Sequence, residues 1–253
     1  MREWVVIGLI AEVPKRQKRN LFFRIPRYTR SLASLTIELL PPTERGSAMP
    51  LKRYLLKISL LSSQPTIWRR VVVPASITLD RLHDVLQITM GWEDSHLHEF
   101  IFKKQRFTDT FNDLDHGDNV EEESLHRLDT LLKRKGSLLH YVYDFGDSWE
   151  HVIELENSAY PDDDESGFLH CLGGEGGCPP EDCGGIPGYF RLREVLNDPE
   201  HEEHEDTLEW LGIPEEFHAL APEFLLHFDE NLINSELFQY AKWSRDRTLP
   251  WFE

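Results

Sequence analysis

Residues 138–156 read LLHYVYDFGDSWEHVIELE, and this stretch decides the fold. Two runs of aromatic and β-branched residues, 138–145 and 149–155, flank Gly146, Asp147 and Ser148, which is hairpin composition. In the second run Trp149, His151, Ile153 and Leu155 share one face of a strand, and Glu150, Val152, Glu154 and Glu156 share the other. The spacing therefore predicts a half-buried antiparallel hairpin with His151 turned inward.

Working upstream, residues 54–61 and 67–73 (IWRRVVV) read as strands, separated by the turn residues Ser62, Ser63, Gln64 and Pro65. Thr78 then precedes Leu79, Leu82, Val85, Leu86 and Met90 at helical spacing, with Gly91 as the stop, so an N-capped amphipathic helix of about three turns is expected. Residues 96–102 (HLHEFIF) read as a strand, and the polar region from there to about residue 124 as a loop or insertion. Downstream of the hairpin come the acidic loop 162–165 and a segment carrying all three cysteines. Helical pieces are expected at 188–197, 205–211, 215–220 and 222–228. Strands first and helices last predict an α+β fold, with a mixed or antiparallel sheet, helices packed on it and a helical C-terminal part.

Charge narrows the function. The chain has 253 residues, with 27 Lys and Arg against 45 Asp and Glu, a formal charge of −18. Residues 1–50 carry 9 basic and 4 acidic side chains, residues 51–150 carry 13 and 16, and residues 151–253 carry 5 and 25. A polyanion gains affinity by surrendering counterions to Lys and Arg, so nucleic acid could be met only by the first half. Local basic residues there are Arg53, Lys57, Arg69, Arg70, Lys103, Lys104 and Arg106.

The early apolar run, residues 4–11, is far shorter than the roughly 20 residues a spanning helix needs, and Pro14, Lys15 and Arg16 follow it where a cleavable signal would place small residues. No membrane contact and a cytoplasmic location are expected. Residues 1–50 form a basic leader, either a flexible arm or the product of a start site upstream of a natural start at Met49, and residues 51–253 are read as one domain.

The strongest chemical signal is Cys171, Cys178 and Cys183 in a stretch rich in Gly and Pro. Glycines let a short loop fold back so that thiolates can meet on one ion, and three thiolates need a fourth ligand. His151 on the inward hairpin face and His170 beside Cys171 are the candidates; the competing reading is three reduced cysteines packed as small apolar residues, with a redox pair as a third. A second constellation is His96 and His98, two apart and therefore on one strand face, with Asp144 and Asp147 at the hairpin turn. These could hold a metal with an open position, or Asp147 and Asp144 could simply cap the turn. His83 reads as an interface histidine on the helix, and Trp92, Trp149 and Trp68 as core or cleft walls. There is no Gly-x-Ser-x-Gly elbow, phosphate loop or dinucleotide fingerprint.

Three segments, IWRRVVVPASITLDRLHDVLQITMGWEDSHLHEF (67–100), YVYDFGDSWEHVIELE (141–156) and CLGGEGGCPPEDCGGIPGY (171–189), resemble the plasmid pRiA4b ORF-3-like family, also labelled as the passenger protein of an insertion element. The resemblance spans roughly residues 51–235 and implies an α+β domain associated with plasmids and mobile elements. It carries over motif positions without assigning them roles. Three functions are set against one another: a cytoplasmic non-enzymatic or regulatory module with a structural zinc on Cys171, Cys178, Cys183 and His151; a metal-dependent hydrolase or nuclease using His96, His98, Asp144 and Asp147; and a DNA- or protein-binding adaptor of a mobile element.

Overall fold

The structure, a computed structural model, describes residues 52–110, 119–161 and 168–243. The leader, the acidic loop at 162–165 and part of the polar region lie outside the described residues. Eight strands form one sheet: β1 (Arg53–Leu60), β2 (Trp68–Pro74), β3 (His98–Phe102), β4 (Gln105–Thr108), β5 (Val120–Glu122), β6 (Leu138–Tyr143), β7 (Trp149–Tyr160) and β8 (His170–Glu175). Their spatial order is β5-β4-β3-β6-β7-β1-β2-β8. Only the β4–β5 pair is parallel, so the sheet is mixed and the expected α+β class holds.

The hairpin is β6 and β7, in register from Leu138 opposite Glu154 to Tyr143 opposite Trp149. Along β7, Trp149, His151, Ile153 and Leu155 are all buried, as the two-residue period requires. The main helix, α1 (Leu79–Met90), covers this core face with Leu79, Leu82, Val85 and Leu86 fully buried. It ends at Gly91, whose φ of 86° is the left-handed conformation that glycine adopts without steric cost. Thr78 occupies the N-cap position but makes no side-chain cap bond; separately, the Leu79 N–H at the first helical position is met by the His126 carbonyl at 3.0 Å.

Several elements differ from the sequence reading. The strand expected at 96–102 begins only at His98, leaving His96 in a loop. The polar region contributes β4, β5 and a 3₁₀ turn (Glu123–Leu125), because the open edge of β3 needs a partner. A short helix α2 (Leu128–Leu131) follows. The cysteine segment is not wholly a loop: β8 pairs with the edge of β2, its register shifted between Arg70 and Val71. A Cβ on Gly174 would lie 2.7 Å from the Trp68 carbonyl oxygen, so this close approach requires glycine.

The C-terminal part is helical as expected, with α3 (Gly185–Asn197), α4 (His204–Trp210), a 3₁₀ turn (Glu215–Leu220), α5 (Ala221–Phe224) and α6 (Glu230–Trp243). Helix α6 was not anticipated. It is tied to β8 by Asn234, whose side chain accepts from the Cys171 N–H at 2.8 Å and donates to the Cys171 carbonyl at 2.9 Å. No helix of the described residues is long and apolar enough to cross a membrane.

Candidate functional site

Three loops meet beside the start of β3: residues 91–97 after α1, the hairpin turn 144–148, and residues 179–185 ahead of α3. Asp147 fastens two of them, since its Oδ2 accepts from the Gly184 N–H at 3.1 Å. A Cβ on Gly185 would stand 2.4 Å from the Asp147 carbonyl oxygen, so only glycine lets the turn and the helix start approach this closely. Trp92 bridges the same loops: its Nε1–H donates to the Pro179 carbonyl at 3.1 Å and its ring stacks on Tyr143 at 4.9 Å between centroids. The Tyr143 hydroxyl in turn accepts from the Ser95 N–H at 2.9 Å and donates to Glu181 at 2.6 Å. Burial, foremost, and the adjacent Glu181 carboxylate keep this phenol protonated far above the usual tyrosine range.

Among the described residues two groups of three metal-ligating side chains have ligand atoms within 4.8 Å of one another: His83, Asp94 and His98, and His96, Asp144 and Asp182. The first is a hydrogen-bonded network. The rings of His83 and His98 lie stacked, 3.5 Å apart and 6° from parallel. Parallel imidazoles direct their in-plane lone pairs side by side rather than at one point. Both Nε2 atoms are also engaged, His83 with Asp94 and His98 with Glu123, each at 2.8 Å. The partners assign the His83 tautomer: Gln87 donates to the Tyr141 hydroxyl at 3.0 Å, that hydroxyl faces His83 Nδ1 at 2.8 Å, and Nε2–H therefore points at Asp94. The Asp94 N–H closes the circuit on Gln87 Oε1 at 3.0 Å.

The second group has the opposite character. The buried His96 Nε2 has no hydrogen-bond partner. It stands 3.4 Å from Asp182 Oδ1 and 3.7 Å from Asp144 Oδ2, too far for hydrogen bonds. Atoms bound at about 2.1 Å to one ion stand roughly 3.0–3.5 Å apart around its coordination shell, so the spacing to Asp182 falls inside that range and the spacing to Asp144 just beyond it. Asp144 is held in place by the Gly146 N–H, which donates to its other oxygen at 2.9 Å. Asp94, Asp144 and Asp182 all adopt left-handed backbone, with φ of 55°, 56° and 58°. Strained φ values of this kind concentrate where the surrounding structure aims a functional side chain.

The sequence therefore anticipated His96 with Asp144, and the turn-capping bond of Asp144 is present as well. It did not anticipate that His96 and His98 belong to different clusters, because the strand begins too late for their spacing to place them on one face. Asp182 was missed, its signal masked by the neighbouring Cys183. Glu123, Tyr141, Tyr143, Gln87 and Glu181 were missed too, since a lone acid or a strand tyrosine carries no motif.

The cysteines and His151 do not converge; no three of Cys171, Cys178, Cys183 and His151 form a group within 4.8 Å among the described residues. Cys171 lies on the edge strand, with its thiol 3.6 Å from the Gly173 carbonyl. The Cys183 thiol is 3.9 Å from the Gly185 carbonyl. Burial pushes the Cys183 thiol up to about 12 and the Cys178 thiol higher still. His151 is 1 % exposed and neither ring nitrogen has a partner; Trp92 meets it edge-on at 5.2 Å. Desolvation lowers its pKa to about 4, so the ring is neutral. Trp149 is fully buried, its Nε1–H likewise unpartnered. Of the basic residues, Arg53 and Arg69 are buried, and Arg70 and Arg106 are paired with Glu156 and Glu99.

Fold and site together define an α+β protein built on one mixed sheet, with a histidine–carboxylate centre where three loops meet. The chain belongs to the plasmid pRiA4b ORF-3-like family, whose description it matches over residues 52–234. It is 42 % identical over 158 residues to the uncharacterized protein y4hQ of Sinorhizobium fredii, covering 62 % of this chain and 79 % of that one. It is also similar to the crystal structure of MM3350, a protein of unknown function from Methanosarcina mazei, with 34 % identity, a TM-score of 0.59, and coverage of 71 % of this chain and 96 % of that one.

Proposed function

We propose that this protein is a metal-dependent hydrolase whose divalent cation is held by His96, Asp144 and Asp182. The observation that carries the reading is the buried, unpartnered His96 Nε2 standing 3.4 and 3.7 Å from two carboxylate oxygens of different loops. Zinc is the ion proposed, because one imidazole nitrogen and two carboxylate oxygens leave a fourth position for water, the composition of a catalytic rather than a structural zinc site. Such an ion lowers the pKa of its bound water toward neutrality and polarises a carbonyl. The chain's own contribution is to orient: Gly146 fixes Asp144, and Tyr143 holds Glu181 beside the centre. A cytoplasmic location is part of the proposal, supported by three unpaired cysteines. A structural zinc on Cys171, Cys178, Cys183 and His151 draws no support from the separation of those atoms.

The test is elemental analysis of the full chain with zinc titration and manganese as competitor. One ion per chain is expected, lost in Asp144→Asn and Asp182→Asn and retained in Cys178→Ser, with cleavage of a chromogenic ester and amide panel abolished by chelation. Retention in Asp182→Asn, or loss in Cys178→Ser, would overturn the assignment.

A further inference from the structure

The same 144–148 turn that carries Asp144 also closes one end of a half-open cavity of about 360 Å³, lined by Glu99, Ile101, His140, Val142, Phe145 and Glu150 among others. Such a volume lies in the range of small-molecule sites, roughly 300–1,000 Å³. Strand register explains the lining. Glu99 pairs with Val142, Ile101 with His140 and Val142 with Glu150, so these side chains share the sheet face turned away from α1, whose His83 and Gln87 bond Tyr141 on the other. The floor is aliphatic, Ile101 and Val142, and Phe145, 45 % exposed, forms one wall.

Charge distinguishes the cavity and the metal centre alike. Residues 91–97, 144–148 and 179–185 contain Glu93, Asp94, Asp144, Asp147, Glu181 and Asp182, and no lysine or arginine. In the cavity Glu99 is paired with Arg106, whereas Glu150 has no cationic partner among the described residues. In the cavity an ammonium group would find the Glu150 carboxylate, and its alkyl chain an apolar floor with an aromatic face.

We infer that this cavity binds an aliphatic primary amine, its ammonium on Glu150 and its chain along Ile101, Val142 and Phe145. None of His96, Asp144 and Asp182 lines the cavity, so this inference goes beyond the proposed function and its binding is tested independently of the metal. The experiment titrates the full chain with pentylamine, pentanol and pentanoate, followed by ligand-observed NMR, with and without zinc. Pentylamine should bind about tenfold more tightly than pentanol, and pentanoate not at all. Glu150→Gln should erase the preference for the amine. Phe145→Ala should weaken amine and alcohol together. Both positions are exposed, and melting temperatures verify that the variants fold. Asp182→Asn should lose the metal and keep the amine, which separates failure of the metal assignment from failure of this one. Equal binding of amine and alcohol, or an unaltered preference in Glu150→Gln, overturns the inference.

Discussion

His151 provides the sharpest quantitative test of the packing. Its ring sits under Trp92 and beside Tyr141, fully enclosed, with neither nitrogen bonded. Desolvation lowers its pKa from 6.5 to about 4, weakly opposed by the nearby backbone of Trp149 and Tyr141, neither of which reaches hydrogen-bonding geometry with the ring. The folded state therefore keeps the imidazole neutral where the unfolded chain takes up a proton. Stability from this source is complete above pH 6.5 and is lost as pH falls through 6.5 toward 4, because the unfolded state binds more protons across that window. At about 1.4 kcal/mol per tenfold in proton affinity, the loss reaches about 1.4 kcal/mol by pH 5.5 and about 3 kcal/mol by pH 4. Urea unfolding at pH 8 and pH 5.5, compared between the wild type and His151→Leu, isolates the effect, since the carboxylates titrate alike in both proteins. The wild type should lose about 1.4 kcal/mol more than the variant. Equal losses, or a His151 NMR titration near pH 6.5, would refute the reasoning.

The other predictions concern the buried His98–Glu123 contact and the loop corner. Glu123 is 3 % exposed and has His98 Nε2 at 2.8 Å, so His98→Ala leaves a buried polar group without that partner and should cost about 1–3 kcal/mol in urea unfolding, whereas His98→Gln keeps a donor and should cost less. A loss below about 1 kcal/mol in His98→Ala would mean that the pair is hydrated. Gly185 and Gly212 have almost the same backbone, φ +67° and +66°, but a Cβ at Gly185 meets the Asp147 carbonyl oxygen while one at Gly212 meets nothing within 4 Å. Gly212→Ala should cost about 1 kcal/mol from its φ alone, and Gly185→Ala clearly more. Equal melting temperatures would show that the hairpin turn does not press on the start of α3.

What the sequence by itself determined is whatever repeats locally. The two-residue period of residues 149–155 placed Trp149, His151, Ile153 and Leu155 in the core, and the helical spacing of Leu79, Leu82, Val85, Leu86 and Met90 located α1 and its glycine stop. Residues 67–100, 141–156 and 171–189 carried the family, which the match over 52–234 bears out. Tertiary structure decided the rest. Strands β4, β5 and β8 exist because open edges of β3 and β2 accept partners of weak propensity. The three cysteines read as one site because they are close in sequence; in the structure Cys171 lies on β8, where its backbone bonds Asn234 of α6. His96, Asp144 and Asp182, each ordinary in its own loop, acquire chemical meaning only when three chain reversals bring them within 4.8 Å, a distance set by how the hairpin turn, the end of α1 and the start of α3 pack together.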